Sequence, residues 1–147
     1  MSPFELRELL IEIKTVIASI NKTIPVIDDS MLTNKISKLE KDDNMLLVGV
    51  LPSYGSDGQN VDNVRTTTVT QLMVLEKCDY SDLTEDEFWE LYERTYQTMQ
   101  TVKELIVLKV SNNCPTYLAN IDVNSMDIDP VWAKAECCGW SMDLEII

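Results

Sequence analysis

The chain has 147 residues, of which 45% are hydrophobic and 25% are charged, a balance that is typical of a globular domain and excludes wholesale disorder. It contains 12 Lys and Arg residues and 25 Asp and Glu residues, which gives a formal net charge of −13. Such a charge disfavours binding to nucleic acid. Histidine is absent, which removes the commonest general base, the commonest metal ligand and every Ser–His or Cys–His dyad.

The N-terminal sequence argues against a secretory signal. Glu5, Arg7 and Glu8 interrupt it, whereas a signal peptide needs an unbroken apolar run of about 7–15 residues. No stretch approaches the roughly 18 apolar residues of a membrane span. We therefore expect a protein of the reducing cytoplasm that makes no membrane contact.

Four cysteines are expected to be free, buried thiols in that compartment, with disulfides as the alternative: Cys78, Cys114, Cys137 and Cys138. The last two are adjacent, so on a strand they would point to opposite faces and could not pair with each other. Their spacing lacks the CxxC pattern of a zinc site. We predict no bound metal, nucleotide or other cofactor.

The first predicted element is a helix over residues 3–20. Ser2 can act as its N-cap, and Glu5 falls where it completes a capping box. Apolar residues recur at three- and four-residue steps as a stripe: Leu6, Leu9, Leu10, Ile13, Ile17 and Ile20. This stripe predicts a helix that packs on its own domain, and a partner-binding helix is the alternative.

Residues 21–44 leave two possibilities open. Pro25 breaks any helix, and residues 28–30 are typical of a turn or a new N-cap. Residues 32–39 are compatible with a short amphipathic helix, and residues 24–27 equally with a brief strand. A solvated turn is expected at 41–44.

Two further runs predict an antiparallel hairpin. The apolar run 45–51 suits a buried strand, and the β-branched run 64–76 predicts a long one. Residues 52–63, with their glycines, proline and asparagines, are predicted to form a long loop, of the kind that is often functional or mobile. The loop is acidic and lacks the glycine spacing of a phosphate site.

A second helix is predicted over residues 85–110. Thr84 and Glu87 form a capping box, and Leu83 can pack onto Phe88. At 1.5 Å per residue this helix is about 40 Å long. Its core-facing stripe is expected to contain Phe88, Tyr92, Tyr96, Met99, Val102 and Ile106, with Trp89 beside it.

The C-terminal third is predicted to be mostly strand. Apolar and polar residues alternate over 117–123, which predicts a half-buried strand. Residues 124–130 are predicted to form an acidic turn, which lacks the glycine and the closing glutamate of a calcium loop. After this turn, apolar residues occupy the odd-numbered positions over 133–137 and the even-numbered positions over 140–146. This shift by one residue predicts a β-bulge or a tight turn at Cys138–Gly139. Trp132 and Trp140 are expected to be at least partly buried.

Together these elements predict one α+β domain over 1–147, in α-β-β-α-β-β order. Its mostly antiparallel sheet of about four strands would pack with the long helix and the N-terminal helix. This order, the acidic charge, the long hairpin and the closing segment CGWSMDLEI resemble the tail-terminator and tail-completion proteins of the head–tail neck in tailed bacteriophages and related contractile injection machines.

The resemblance implies a non-enzymatic structural subunit. It would form a homo-oligomeric ring, most readily a hexamer, and contact tail-tube or neck proteins. The protein would be cytoplasmic in the producing cell and part of the virion tail after assembly, with the 52–63 loop at a subunit or tube contact. The resemblance transfers no catalytic, cofactor-binding or metal residues to this chain.

Two other classes of function remain open. An acidic inhibitor or immunity-type protein that binds a basic enzyme explains the charge of −13 equally well. A small enzyme that works with carboxylates alone would draw on acids in the predicted turns, none of which we predict to be catalytic: Asp57, Asp62, Asp127 and Asp129.

Overall fold

A computed structural model describes residues 1–57, 65–79 and 81–147 of the chain. The helices are α1 (Pro3–Val16), α2 (Asp29–Ile36) and α3 (Glu85–Ser111). The strands are β1 (Lys22–Val26), β2 (Leu46–Val50), β3 (Ser53–Asp57), β4 (Arg65–Lys77), β5 (Ile128–Lys134) and β6 (Cys137–Ile146). Short 3₁₀ helices occupy 41–43, 116–118 and 123–125.

The strands form one six-stranded mixed sheet in the order β1-β2-β4-β6-β5, with β3 also paired to β4. The α+β class is confirmed, although the sheet has more strands than the four predicted. β1 and β2 run parallel, because α2 forms the crossover between them, as a parallel pair requires. Thus residues 21–44 contain both the brief strand and the short helix that the sequence left open.

Both predicted capping boxes form. The Ser2 hydroxyl accepts from the backbone N–H of Glu5, whose carboxylate accepts from the Ser2 N–H, and Thr84 and Glu87 do the same for α3. These bonds satisfy backbone donors that the first helical turn would otherwise leave unpaired. α1 is shorter than predicted and ends at Val16, since Ile17 has an extended backbone.

The sheet separates two apolar layers. On β4, Leu72 and Val74 point towards α1 and α3, whereas Met73 and Leu75 point towards α2. α1 packs over β1 and β2, and α3 packs over β4 and β6 on the same face. This two-sided burial explains why β2 is a continuous apolar run and does not alternate.

The predicted pairing of 45–51 with 64–76 is confirmed by the antiparallel β2–β4 ladder. The predicted loop 52–63 is wrong over Ser53–Asp57, which forms β3 and continues along the same side of β4. Gly49 is opposite Leu72 and Ser53 is opposite Val69, so one extra residue bulges out between β2 and β3. The remainder of that loop, 58–63, lies outside the described residues.

The predicted strand over 117–123 is also wrong. The segment contains a 3₁₀ helix at 116–118, and Ile121 makes only an isolated bridge to Ile146. Local bonds, such as Leu118 N–H to the Pro115 carbonyl at 3.1 Å, satisfy its backbone. The predicted turn over 124–130 is interrupted, since β5 begins at Ile128.

The last segment contains two strands, but their turn lies three residues before the predicted position. Ala135 and Glu136 have positive φ angles of 51° and 63°, and they join Lys134 to Cys137 as a two-residue hairpin loop. Trp140 is half-buried, whereas Trp132 remains 54% exposed. Within the described residues, no helix has both the length and the apolar character needed to cross a bilayer.

Candidate functional site

The β3–β4 hairpin extends beyond the rest of the sheet. β6 pairs with β4 only from Thr68 onwards, so residues 55–57 and 65–67 form a two-stranded ribbon, here called the hairpin extension. Within the described residues, no strand pairs with the outer edge of β3. Such an edge presents backbone donors and acceptors to a neighbouring chain.

A second feature is an apolar groove of about 450 Å³ between α1 and the β1 edge of the sheet. We call it the N-terminal groove, and it is lined by Pro3, Phe4, Leu6, Arg7, Leu10, Ile11, Thr23, Pro25 and Leu51. Phe4 is 75% exposed and Ile11 is 50% exposed. Among these lining residues, Arg7 alone carries a charge.

Sequence reasoning missed this groove. It assigned α1 one apolar stripe, which is indeed buried in the core. Phe4 and Ile11 lie one heptad apart on a different side of the helix, together with Arg7. This second, shorter stripe could have indicated an exposed apolar surface on α1, because residues seven apart share a helix face.

A third feature, the aromatic patch, lies at the opposite edge and consists of Phe88, Trp89 and Trp132. The ring centroid of Phe88 lies 5.4 Å from that of Trp89 and 5.8 Å from that of Trp132. Trp89 is 63% exposed. The patch therefore joins the first turn of α3 to β5, the last strand of the sheet order.

Buried and half-buried rings support the patch from beneath. Tyr92 contacts both Phe88, at 4.7 Å, and Trp140, at 5.8 Å. The Tyr92 hydroxyl donates to the Val131 carbonyl at 2.6 Å, and the Trp140 indole donates to the Tyr92 carbonyl at 2.9 Å. These bonds fix the rings from α3, β5 and β6, so the patch has a rigid base.

Acidic side chains surround the aromatic patch. Glu85, Asp86, Glu90 and Glu93 are all exposed on the first turns of α3. Trp89, Glu90 and Glu93 border a shallow depression of about 570 Å³ that also includes Arg94 and Gln97. The guanidinium of Arg94 is bound to Glu76 and also attracts Glu90, and Glu93 accepts from the Gln97 amide, so the patch presents apolar rings beside exposed carboxylates.

Three of the four thiols lie near the joint of β4 and β6. Cys78 donates to the Cys138 sulfur at a distance of 3.6 Å, and Cys137 is fully buried on the other face of the sheet. Burial raises the pKa of Cys78 from 9.0 to about 12, and the bond to Cys138 adds to this. Burial likewise raises the pKa of Cys137 to about 12. All four cysteines are free thiols, as predicted, but only Cys137 and Cys138 are buried, since Cys78 is half-buried and Cys114 is exposed.

The turn acids considered from sequence do not come together. Asp57 ends β3, whereas Asp127 and Asp129 are exposed near or in β5, and β4 and β6 lie between these strands. Asp62 lies outside the described residues. In the described part of the chain, no group of three or more Cys, Asp and Glu side chains is arranged to hold a metal ion.

Comparison with known proteins found no matching family model, no similar curated protein and no similar solved structure.

Proposed function

We propose that this protein is a structural, non-catalytic subunit that assembles into a ring at the end of a phage or phage-like tail tube, as a tail-terminator or tail-completion protein. The observation that carries the proposal is the hairpin extension. A two-stranded ribbon is marginally stable by itself in water, and the outer edge of β3 is a template for pairing. Contact with a neighbouring subunit or with the tube would stabilise the ribbon and would pair the outer edge of β3.

The net charge of −13 sets the conditions of assembly. Copies with this charge repel one another, and salt shortens the range of the repulsion to about 10 Å at 0.1 M. Ring formation is therefore expected to need moderate salt, high protein concentration or a tube that acts as a template.

The test is light scattering across salt and protein concentration, with and without the tail-tube protein encoded at the same locus. The proposal expects a ring, six subunits being the expected number, or a stoichiometric complex with the tube protein. Ser56→Lys places a charge on the exposed ribbon strand and should weaken assembly. Ser37→Lys adds the same charge near the Lys77 end of β4, away from the ribbon, and should leave assembly unchanged.

The acidic surroundings of the aromatic patch favour a second candidate, an inhibitor or immunity-type protein that binds a basic enzyme. Exposed tryptophans beside carboxylates suit Lys and Arg side chains. This candidate would be established, and the ring overturned, if the protein stayed monomeric, did not bind the tube protein and bound a basic enzyme encoded at its own locus.

A further inference from the structure

We propose that the aromatic patch of one copy docks into the N-terminal groove of the next, so that the chain assembles head to tail. This inference rests on the proposed ring, because it identifies the two surfaces that would close it. The docking occupant of the groove is thus a second copy of this chain.

Both surfaces expose large apolar side chains, on α1 at the groove and on α3 and β5 at the patch. Phe4 and Ile11 line the groove, whereas Trp89 and Trp132 form the patch. Exposed aromatic rings on a rigid base are the usual centre of a protein interface, since tryptophan contributes a large contact area at small entropic cost.

The two surfaces lie at opposite edges of one sheet. The groove follows β1, the first strand of the sheet order, and the patch follows β5, the last. Contact between two different surfaces of identical chains is heterologous, and it closes into a ring when the rotation between subunits divides a full turn. A surface that bound its own copy would instead stop at a dimer.

Charges on the two surfaces are complementary. Arg7 lies in the wall of the groove, and Glu90 and Glu93 lie beside Trp89. A guanidinium can stack on an indole ring and bind a carboxylate at the same time. Docking would therefore pair the groove's cation with the carboxylates that surround Trp89.

Prolines favour side-chain docking over strand addition at these two edges. Pro25 lies in β1 and Pro130 lies in β5, and proline removes the backbone donor that a new strand would need. The lateral edges are therefore poor templates for strand pairing, while their side chains remain available for contact.

The test uses two variants that each lose one surface. Phe4→Asp blocks the groove and Trp89→Asp blocks the patch, and both replace exposed side chains, so circular dichroism should show unchanged folding. At 0.5 M salt, where the wild type forms rings, each variant alone should be monomeric. An equimolar mixture should form a 1:1 heterodimer and stop, because each variant retains one intact surface.

Charge reversal provides the second readout. Arg7→Glu should raise the dissociation constant of this heterodimer at least tenfold when introduced into the Trp89→Asp chain, which contributes the groove. Glu93→Arg in the Phe4→Asp chain should recover part of the loss. Leu108→Asp, an exposed apolar-to-acid change on α3 outside both surfaces, should leave ring formation unchanged.

Two outcomes would overturn the inference: a mixture that remains monomeric while the wild type forms rings, or a wild type that never self-associates. Binding to the tube protein separates the two proposals. If the wild type binds the tube protein without self-association, the ring contact is wrong while the tail assignment stands. If it neither self-associates nor binds the tube protein, both are wrong.

Discussion

Arg94 binds the carboxylate of Glu76 through two parallel hydrogen bonds, from Nε to Oε1 at 2.9 Å and from Nη2 to Oε2 at 2.6 Å. Glu76 is 8% exposed, so Arg94 neutralises a carboxylate that the sheet and α3 remove from water. Removing one partner of such a pair leaves a buried charge without compensation.

We therefore predict that Arg94→Met lowers the free energy of unfolding by about 1–2 kcal/mol, a modest value because the guanidinium is half exposed. Urea denaturation measures the change. Lys14→Met removes an exposed cation from α1 and should change stability by less than about 0.5 kcal/mol. Equal losses in the two variants would contradict a special role for the Glu76 pair.

Gly139 allows β6 to approach β4 closely. A Cβ at this position would lie 2.1 Å from the Val74 carbonyl oxygen, so the ladder would have to separate. We predict that Gly139→Ala lowers the free energy of unfolding by more than about 3 kcal/mol. At Gly55 the nearest atom to a Cβ lies 3.8 Å away, and Gly55→Ala should melt within a few degrees of wild type. Similar melting temperatures for both variants would contradict the prediction.

The four cysteines should differ in how rapidly their thiols react with a labelling reagent. Cys114 is exposed, whereas Cys137 and Cys138 are buried and Cys78 is half-buried with a raised pKa. Because the thiolate is the reactive form, a disulfide reagent at pH 8 should label one thiol rapidly and three slowly. Cys114→Ser should abolish the rapid phase, and urea should expose all the remaining thiols. Rapid labelling of Cys78 in the native protein would refute this assignment.

Stability should decline at alkaline pH. Burial raises the pKa of Cys137 from 9.0 to about 12, and that of Tyr117 from 10.0 to about 12. The unfolded chain therefore releases these protons first, so the stabilisation is complete below about pH 9 and is lost as pH rises towards 12. The slope is at most about 1.4 kcal/mol per pH unit for each group.

Urea denaturation between pH 8 and pH 11 measures this decline. Cys137→Ala should make the decline less steep, because it removes one of the groups whose pKa burial raises; Cys78 and Tyr117 remain. Cys114→Ala, which changes an exposed thiol, should leave the profile unaltered. A wild-type stability that stays constant or rises over this interval would contradict the proposed burial of these groups.

Local sequence signals placed the helices well. Ser2 with Glu5 and Thr84 with Glu87 mark where α1 and α3 begin, since a capping box needs only residues three apart. The β-branched run after Val64 likewise indicated β4, because its residue types favour extended backbone whatever its partner. Such features depend on neighbours within one helical turn or along one strand, so a single sequence reveals them.

Turn position was harder to predict. The sequence shows that the alternation of apolar residues shifts by one position near Gly139, and the glycine there suggested the turn. In the structure, the turn is formed by Ala135 and Glu136 instead. Gly139 is needed for another reason, namely the approach of β6 to Val74. Glycine marks either a special backbone angle or a close contact, and sequence alone does not distinguish them.

The sequence by itself determined the α+β class, the two main helices, their caps and the core stripe of α1, whereas in the stripe predicted for α3 Phe88 is only half-buried and Tyr96 is 38% exposed. Only the tertiary structure decided that Ser53–Asp57 forms a strand, since this polar segment is extended through its pairing with β4. It also decided that Phe4 and Trp89 lie at opposite edges of the sheet. Strand order brings distant segments together or keeps them apart, and it depends on long-range pairing that no local pattern encodes.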